Sequence, residues 1–137
     1  SSADVCRVRL PVQSSWELDA LIPTGRRLPL DDAARFQQGQ RFGAMTYDDV
    51  FSDLVFHDGR CEATLDDPES SRRMSLNFDS AFRECVVYTP QHREANCIEP
   101  YTCVPDPFRL ARQGIAAGLR ILEEGESFQA RMEIELR

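Results

Sequence analysis

The sequence contains no lysine, since all 16 basic residues among its 137 residues are arginine. A Schiff base and a lysine-dependent phosphate-binding loop are therefore excluded. Histidine is scarce as well, with only His57 and His92. Neither lies in an HExxH zinc motif, and the chain has no GxSxG nucleophile elbow. These absences remove phosphate-loop enzymes, zinc peptidases of that type and α/β-hydrolases from consideration.

Positive charge is also in short supply, because 23 acidic residues leave a formal net charge of −7. Nucleic acid and anionic membrane surfaces require basic patches, so neither is expected as a partner. The sequence has no signal peptide and no apolar run long enough to span a bilayer. We therefore expect a cytoplasmic protein.

The five cysteines are an odd number, and no two of them form a CxxC pair. A zinc site is therefore not expected, and no other metal site is indicated. Reduced thiols are the expectation for a cytoplasmic chain. A disulfide between Cys97 and Cys103 is the alternative.

Short stretches of alternating apolar and polar residues recur along the chain, a pattern typical of half-buried strands. They occupy residues 5–10, 16–22, 73–78 and 132–136. Residues 84–89 form a compact apolar run, which indicates a strand buried on both faces. About eight short strands with little helix favour an all-β antiparallel sandwich or barrel. The length suits a single domain over residues 1–137.

Turn signals predict how these strands are connected. Asp58-Gly59 predicts a hairpin that joins strands at 50–57 and 60–65. Residues 119–136 predict a final hairpin. A short helix is predicted at 106–112, where a proline follows an aspartate.

Glu99 stands between two apolar residues, Ile98 and Pro100. A carboxylate is rare in such a setting, because burying an unpaired charge is costly. The functional interpretation is a general base that works near neutral pH. The alternative is a glutamate at an exposed strand end, ion-paired with an arginine. His92 lies a few residues earlier and would reach the same cleft, whereas His57 precedes a turn and is expected to be exposed.

Asp48 and Asp49 form a second acidic position, between the aromatic Tyr47 and an apolar strand. Two adjacent carboxylates supply too few oxygen ligands for a hard-cation loop. A solvated loop is the alternative to a binding role for this pair.

Five segments, taken in this order, resemble the C-terminal half of aldose 1-epimerases, the galactose mutarotase family. They are residues 22–25, 47–51, 86–90, 97–102 and 122–127. The resemblance implies a galactose mutarotase-like antiparallel β-sandwich whose concave face holds a hexose. It implies interconversion of the α and β anomers of an aldohexose, or of a hexose phosphate, with no metal and no cofactor. Glu99 falls at the position of the catalytic base, and Asp48 at that of an aspartate that binds sugar hydroxyls.

Two departures from the family pattern qualify the resemblance. The family's acid is a histidine upstream of the matched part, and neither His57 nor His92 occupies its position. Val86 stands where some galactose mutarotases have a glutamine. The chain is therefore expected to correspond to half of a mutarotase, which would need a missing N-terminal half or self-association. The alternative function is a non-catalytic carbohydrate-binding or assembly module. Arg93 is the nearest candidate for a phosphate contact.

Overall fold

A computed structural model describes residues 2–31 and 33–137. Across these residues the chain forms ten strands and two short α-helices. The strands are β1 (Arg7–Arg9), β2 (Ser14–Asp19), β3 (Ile22–Pro29), β4 (Gln40–Arg41), β5 (Asp48–Ser52), β6 (Arg60–Asp67), β7 (Arg72–Asp79), β8 (Glu84–Tyr88), β9 (Cys97–Tyr101) and β10 (Met132–Leu136). The helices are α1 (Ala33–Gln38) and α2 (Pro107–Arg112).

The strands form two five-stranded sheets in which every pairing is antiparallel. The first sheet has the order β10-β7-β6-β1-β4, and the second has the order β3-β2-β5-β8-β9. The antiparallel β-sandwich predicted from the sequence is confirmed.

The main core lies between the two sheets. Side chains alternate along each strand, so Val8, Ala63 and Phe78 of the first sheet pack with Phe51 and Val87 of the second. Each large side chain buried in this way contributes about 1.5–3 kcal/mol to folding. The inward positions of β5 and β8 therefore fix which of their residues face away from the core.

A second, smaller cluster covers part of the outer face of the second sheet. We call it the outer cluster, and its members are Trp16, Val50, Val86, Val104, Leu110 and Ala117. Because β5 and β8 contribute to both clusters, each has buried residues on both faces, which the apolar run at 84–89 predicted for β8. Residues 102–117, which include α2, form the segment that covers this part of the outer face.

Helix α2 begins and ends where the sequence predicts. Pro107 occupies its first turn, where a missing N–H costs nothing, and Gly114 follows it with φ of 75°. The covering segment closes with a hydrogen bond from the Val104 N–H to the Ala117 carbonyl. Gly118 is required there, because a Cβ would lie 2.9 Å from the Thr102 carbonyl oxygen.

Two predicted hairpins are wrong. The Asp58-Gly59 turn exists, but it carries only one bridge, between His57 and Arg60, and the strands on either side belong to different sheets. The chain leaves β5 at Asp53, which adopts φ of 53°. Within residues 119–136 only β10 forms, and it pairs with β7 rather than with a local partner. In both places the strand pairs with a strand that is distant in the sequence, and not with the neighbouring strand of a local hairpin.

Strand β10 extends the first sheet beyond the cover of the second. Its apolar residues lie opposite Phe78 and Leu76, on the inward face, yet Ile134 is 65% exposed. An open groove of about 340 Å³ separates β10 from β9, the last strand of the second sheet. The inward face of β10 is therefore apolar without a covering strand among the described residues.

Candidate functional site

The sheet register places Asp48 and Glu99 on the same face. Glu99 lies opposite Val86 and then Val50, whereas Asp48 lies opposite Tyr88 on the neighbouring strand. All of these positions point away from the main core, because the alternate residues of the same strands point into it. Two strand spacings and a two-residue offset put the two Cα atoms roughly 12 Å apart.

Asp48, and not Asp49, shares the face of Glu99. Asp49 lies on the opposite side of β5, where its carboxylate accepts a hydrogen bond of 3.2 Å from the Asp48 N–H. Burial raises the pKa of Asp49, with a smaller rise from the charge of Asp48. Asp48 itself is exposed. The alternation of β5 therefore puts Asp48, and not Asp49, on the outer face that carries Glu99.

Glu99 has a phenol as its partner. The Tyr101 hydroxyl donates a 3.0 Å hydrogen bond to Glu99 Oε2, and the two residues lie two positions apart on the same face of β9. Among the side chains that the structure describes, no arginine forms an ion pair with Glu99. The ion-paired alternative therefore receives no support from the structure.

The pKa of Tyr101 is raised by several groups around its hydroxyl. Burial is the largest cause that raises the pKa of Tyr101, followed by its hydrogen bond to Glu99 and by the negative charges of Glu99 and Asp48. The phenol is therefore protonated near neutral pH. Asp48, Glu99 and Tyr101 share the outer face of the second sheet, and we call this group the acidic shelf.

Glu84 is a buried carboxyl beneath the covering segment, and sequence reasoning missed it. It lies directly opposite Tyr101, is 1% exposed, and accepts a 3.0 Å hydrogen bond from Trp16 Nε1. Burial raises its pKa, although hydrogen bonds from Ser52 and Trp16 and the charges of two arginines oppose the rise. The only sequence signal was a glutamate at the start of a strand buried on both faces.

Neither histidine belongs to the shelf. His57 is exposed at its turn, as expected. His92 is also exposed, in the loop between β8 and β9, and its Nδ1 accepts a 3.0 Å hydrogen bond from the Glu94 N–H. No described contact joins His92 to Glu99. The structure therefore does not support His92 as a group that acts beside this carboxylate.

Arg93 holds part of the fold together through contacts with the backbone and with an aromatic ring. Its guanidinium donates to the carbonyls of Met45, Phe42 and Gly43 at 2.6, 3.0 and 3.4 Å, and it stacks on the Phe42 ring at 4.8 Å. Three backbone acceptors therefore depend on this one side chain. The phosphate contact considered for Arg93 stays a prediction.

The part of the chain that the structure describes contains no group of three or more His, Cys, Asp or Glu side chains placed to hold a metal ion. No helix in it has the length and apolar character needed to cross a membrane. The five cysteines are free thiols, so the predicted alternative of a disulfide between Cys97 and Cys103 is wrong.

Comparisons with known proteins agree with this architecture. The sequence profile of the aldose 1-epimerase family matches residues 1–135. The crystal structure of a galactose mutarotase-like protein from Clostridium acetobutylicum superposes with a TM-score of 0.85 at 19% sequence identity. The superposition covers 100% of this chain and 43% of that chain. At this identity the likeness is one of fold, and this chain spans less than half the length of that structure.

Replacing Glu84 with glutamine tests the cost of its burial. A carboxyl whose pKa is raised on folding stabilises the fold fully below its unfolded pKa of about 4.3, and this contribution is lost as pH rises through the folded-state pKa. Glutamine keeps an acceptor for Trp16 and never ionises. We expect Glu84→Gln to melt above the wild type near neutral pH, and the two to converge at about pH 4. Thermal unfolding followed by circular dichroism measures this.

The control is Glu124→Gln, at an exposed position. It should show no pH-dependent difference from the wild type. An effect of Glu84→Gln that stays constant across the pH range would contradict the assignment of Glu84 as a buried ionisable group.

Proposed function

This chain belongs to the aldose 1-epimerase family, and we propose that it binds an aldohexose, or a hexose phosphate, and interconverts the α and β anomers. The observation that carries the proposal is the placement of Asp48 and Glu99 on one outer face of the second sheet. Both carboxylates are accessible there, and Glu99 is already held by one hydrogen bond. Metal and cofactor play no part in the proposal.

Glu99 acts as the base in this proposal. Its Oε2 is bonded to Tyr101, which leaves Oε1 to take the proton from the sugar's C1 hydroxyl. When the ring oxygen is protonated in turn, the C1–O5 bond breaks and the aldehyde forms. Rotation about C1–C2 and reclosure then give the other anomer. Pro100 lies beside Glu99 and restricts the backbone that orients it.

Asp48 binds the sugar rather than the reacting atoms. It is exposed at the start of β5 and forms no described ion pair, so its oxygens are available to sugar hydroxyls. Hydrogen bonds to a charged acceptor contribute about 1.5–3 kcal/mol each. Asp48 would therefore fix the orientation of the ring while Glu99 reaches C1.

The rival function is a carbohydrate-binding or assembly module without catalysis. One observation favours it, since neither histidine of the chain contacts the acidic shelf. A base without an acid would bind a sugar but open its ring slowly, because losing the acid costs on the order of 10²–10⁴-fold in rate. The two functions are separated by measuring the rate of mutarotation.

The groove between β9 and β10 suggests a partner. We propose that it receives a further strand-bearing segment of a mutarotase-type sandwich, from the same polypeptide or another. More than half of the Clostridium chain lies outside the match, so such sandwiches contain further segments. A strand seated there would cover Ile134, which is 65% exposed.

Polarimetry of freshly dissolved α-D-glucose and α-D-galactose tests the catalytic proposal. We expect Glu99→Gln to lower the enzymatic rate by roughly 10²–10⁴-fold, because glutamine cannot accept the proton. Asp48→Asn should chiefly raise KM, because it weakens hydroxyl binding. Glu124→Gln, at an exposed position outside the shelf, is the matched control. If the wild type, Glu99→Gln and buffer alone give equal rates, the binding module is the better account.

Sedimentation of the chain alone tests whether the β10 face needs a cover. An uncovered apolar face drives association, so we expect the mass of the wild type to rise with protein concentration. Ile134→Glu should keep the chain monomeric. Ile121→Glu changes a residue that is 76% exposed outside β10 and should leave the association unchanged. A wild type that stays monomeric at every concentration would refute this proposal.

A further inference from the structure

We propose that Tyr88 is a further sugar-binding residue, whose ring stacks on the C–H face of a hexose held between Asp48 and Glu99. The inference rests on the hexose binding of the proposed function and deepens it, because neither carboxylate matches the apolar part of a sugar. It concerns binding and involves no step of the reaction. The observation behind it is that Tyr88 is exposed on the outer face of β8, the strand between those of the two carboxylates.

The sheet register places Tyr88 next to both carboxylates. It lies directly opposite Asp48 on β5, and directly opposite Cys97 on β9, two residues before Glu99. Side chains directly opposite each other in antiparallel strands have Cβ atoms roughly 4.5–5.5 Å apart, and diagonal neighbours about 7–8 Å. Val87 points into the main core, so the Tyr88 side chain leaves the outer face. Tyr88 therefore stands within side-chain reach of both Asp48 and Glu99.

The outer face of β8 becomes accessible at Tyr88. The outward residues of this strand are Glu84, Val86 and Tyr88, and their exposed fractions rise from 1% through 8% to 36%. Val86 belongs to the outer cluster, which residues 102–117 cover. This cover ends before Tyr88. A ligand that bridges the two carboxylates must therefore pass over the Tyr88 side chain.

Tyr88 is the most accessible of the chain's three tyrosines. Tyr47 packs against the main core, and its hydroxyl donates a 3.1 Å hydrogen bond to Gln40 Oε1. Tyr101 packs against the outer cluster, and its hydroxyl donates to Glu99. Within residues 2–31 and 33–137, the Tyr88 hydroxyl has no hydrogen bond. Tyr88 therefore offers a ligand both an exposed ring and a free hydroxyl.

These groups match the two kinds of surface on a pyranose ring. The hydroxyls around the edge of the sugar donate hydrogen bonds to carboxylates such as Asp48 and Glu99. The C–H groups on its faces are weakly positive, and the negative face of an aromatic ring attracts them. Sites for small molecules combine aromatic surface with a few polar groups in this way. The ligand class is therefore a cyclic hexose, and not an acyclic polyol, which has no such face.

The surroundings of Tyr88 favour a sugar over a protein partner. The groove between β9 and β10 is lined by residues of other segments, and Tyr88 does not contribute to it. A partner with an apolar surface would bury Asp48 and Glu99 together with the ring, and unpaired buried carboxylates are costly. A ring that carries several hydroxyls satisfies both carboxylates and covers Tyr88 at the same time.

The test is a nuclear magnetic resonance titration of the 137-residue chain with D-glucose and D-galactose. Tyr88→Leu keeps an apolar side chain but removes the aromatic face, and we expect it to raise the Kd roughly 3–10-fold. Tyr88→Phe keeps the ring and loses only the hydroxyl, so it should raise the Kd less. Ile121→Ala, at an exposed apolar position outside the shelf, is the control and should leave the Kd unchanged. Circular dichroism checks that each variant is folded.

Saturation-transfer measurements report the stacking itself. Irradiation of the protein's aromatic protons should transfer saturation to the C–H protons of the hexose in the wild type. The transfer should persist in Tyr88→Phe and fall sharply in Tyr88→Leu. A wild type without this transfer would overturn the inference even if the leucine variant failed to fold.

The outcomes separate this inference from the proposed function. If the wild type binds hexoses at the shelf and Tyr88→Leu has the same Kd and the same transfer, the role of Tyr88 is overturned and the proposed function stands. If the wild type shows no saturable hexose binding, both are overturned.

Discussion

The alternation of side chains across β5, β8 and β9 is the constraint on which the site depends. Phe51, Val87 and Ile98 point into the main core, and this fixes Asp48 and Glu99 on the outer face. A register slip of one residue would exchange the two sets, placing carboxylates in the core and aromatic rings in water. The burial of the apolar residues therefore sets the position of the acidic shelf more firmly than any contact within the shelf.

The same constraint explains what the sequence could predict. A period of two residues marks a half-buried strand, so the strands around Val8, Leu76 and Ile134 were recognisable from their neighbours alone. The helix near Pro107 followed from local capping signals. Asp48 was preferred to Asp49 as a site residue because of the aromatic residues around it, and its role stays a prediction. In each of these cases the information lies within a few residues of the feature.

What the sequence could not predict depends on residues far apart in the chain. Asp58-Gly59 makes a tight turn, but its flanking strands β5 and β6 pair with β8 and β7 instead of with each other. The hydrogen bond between Trp16 and Glu84 joins residues 68 positions apart, and no local sequence pattern predicts it. Strand β9 also borders the uncovered groove, so whatever covers β10 will lie beside the proposed base.

The most direct test of the account is a nuclear magnetic resonance titration of the ¹⁵N-labelled chain with D-galactose and D-glucose. The acyclic alditol sorbitol serves as the control, because it cannot form the ring that the shelf would bind. The account predicts saturable shifts of amide signals centred on Asp48, Glu99 and Tyr101 with the hexoses and not with sorbitol. Hexose-dependent shifts confined to other surfaces, or no saturable shift at all, would contradict it.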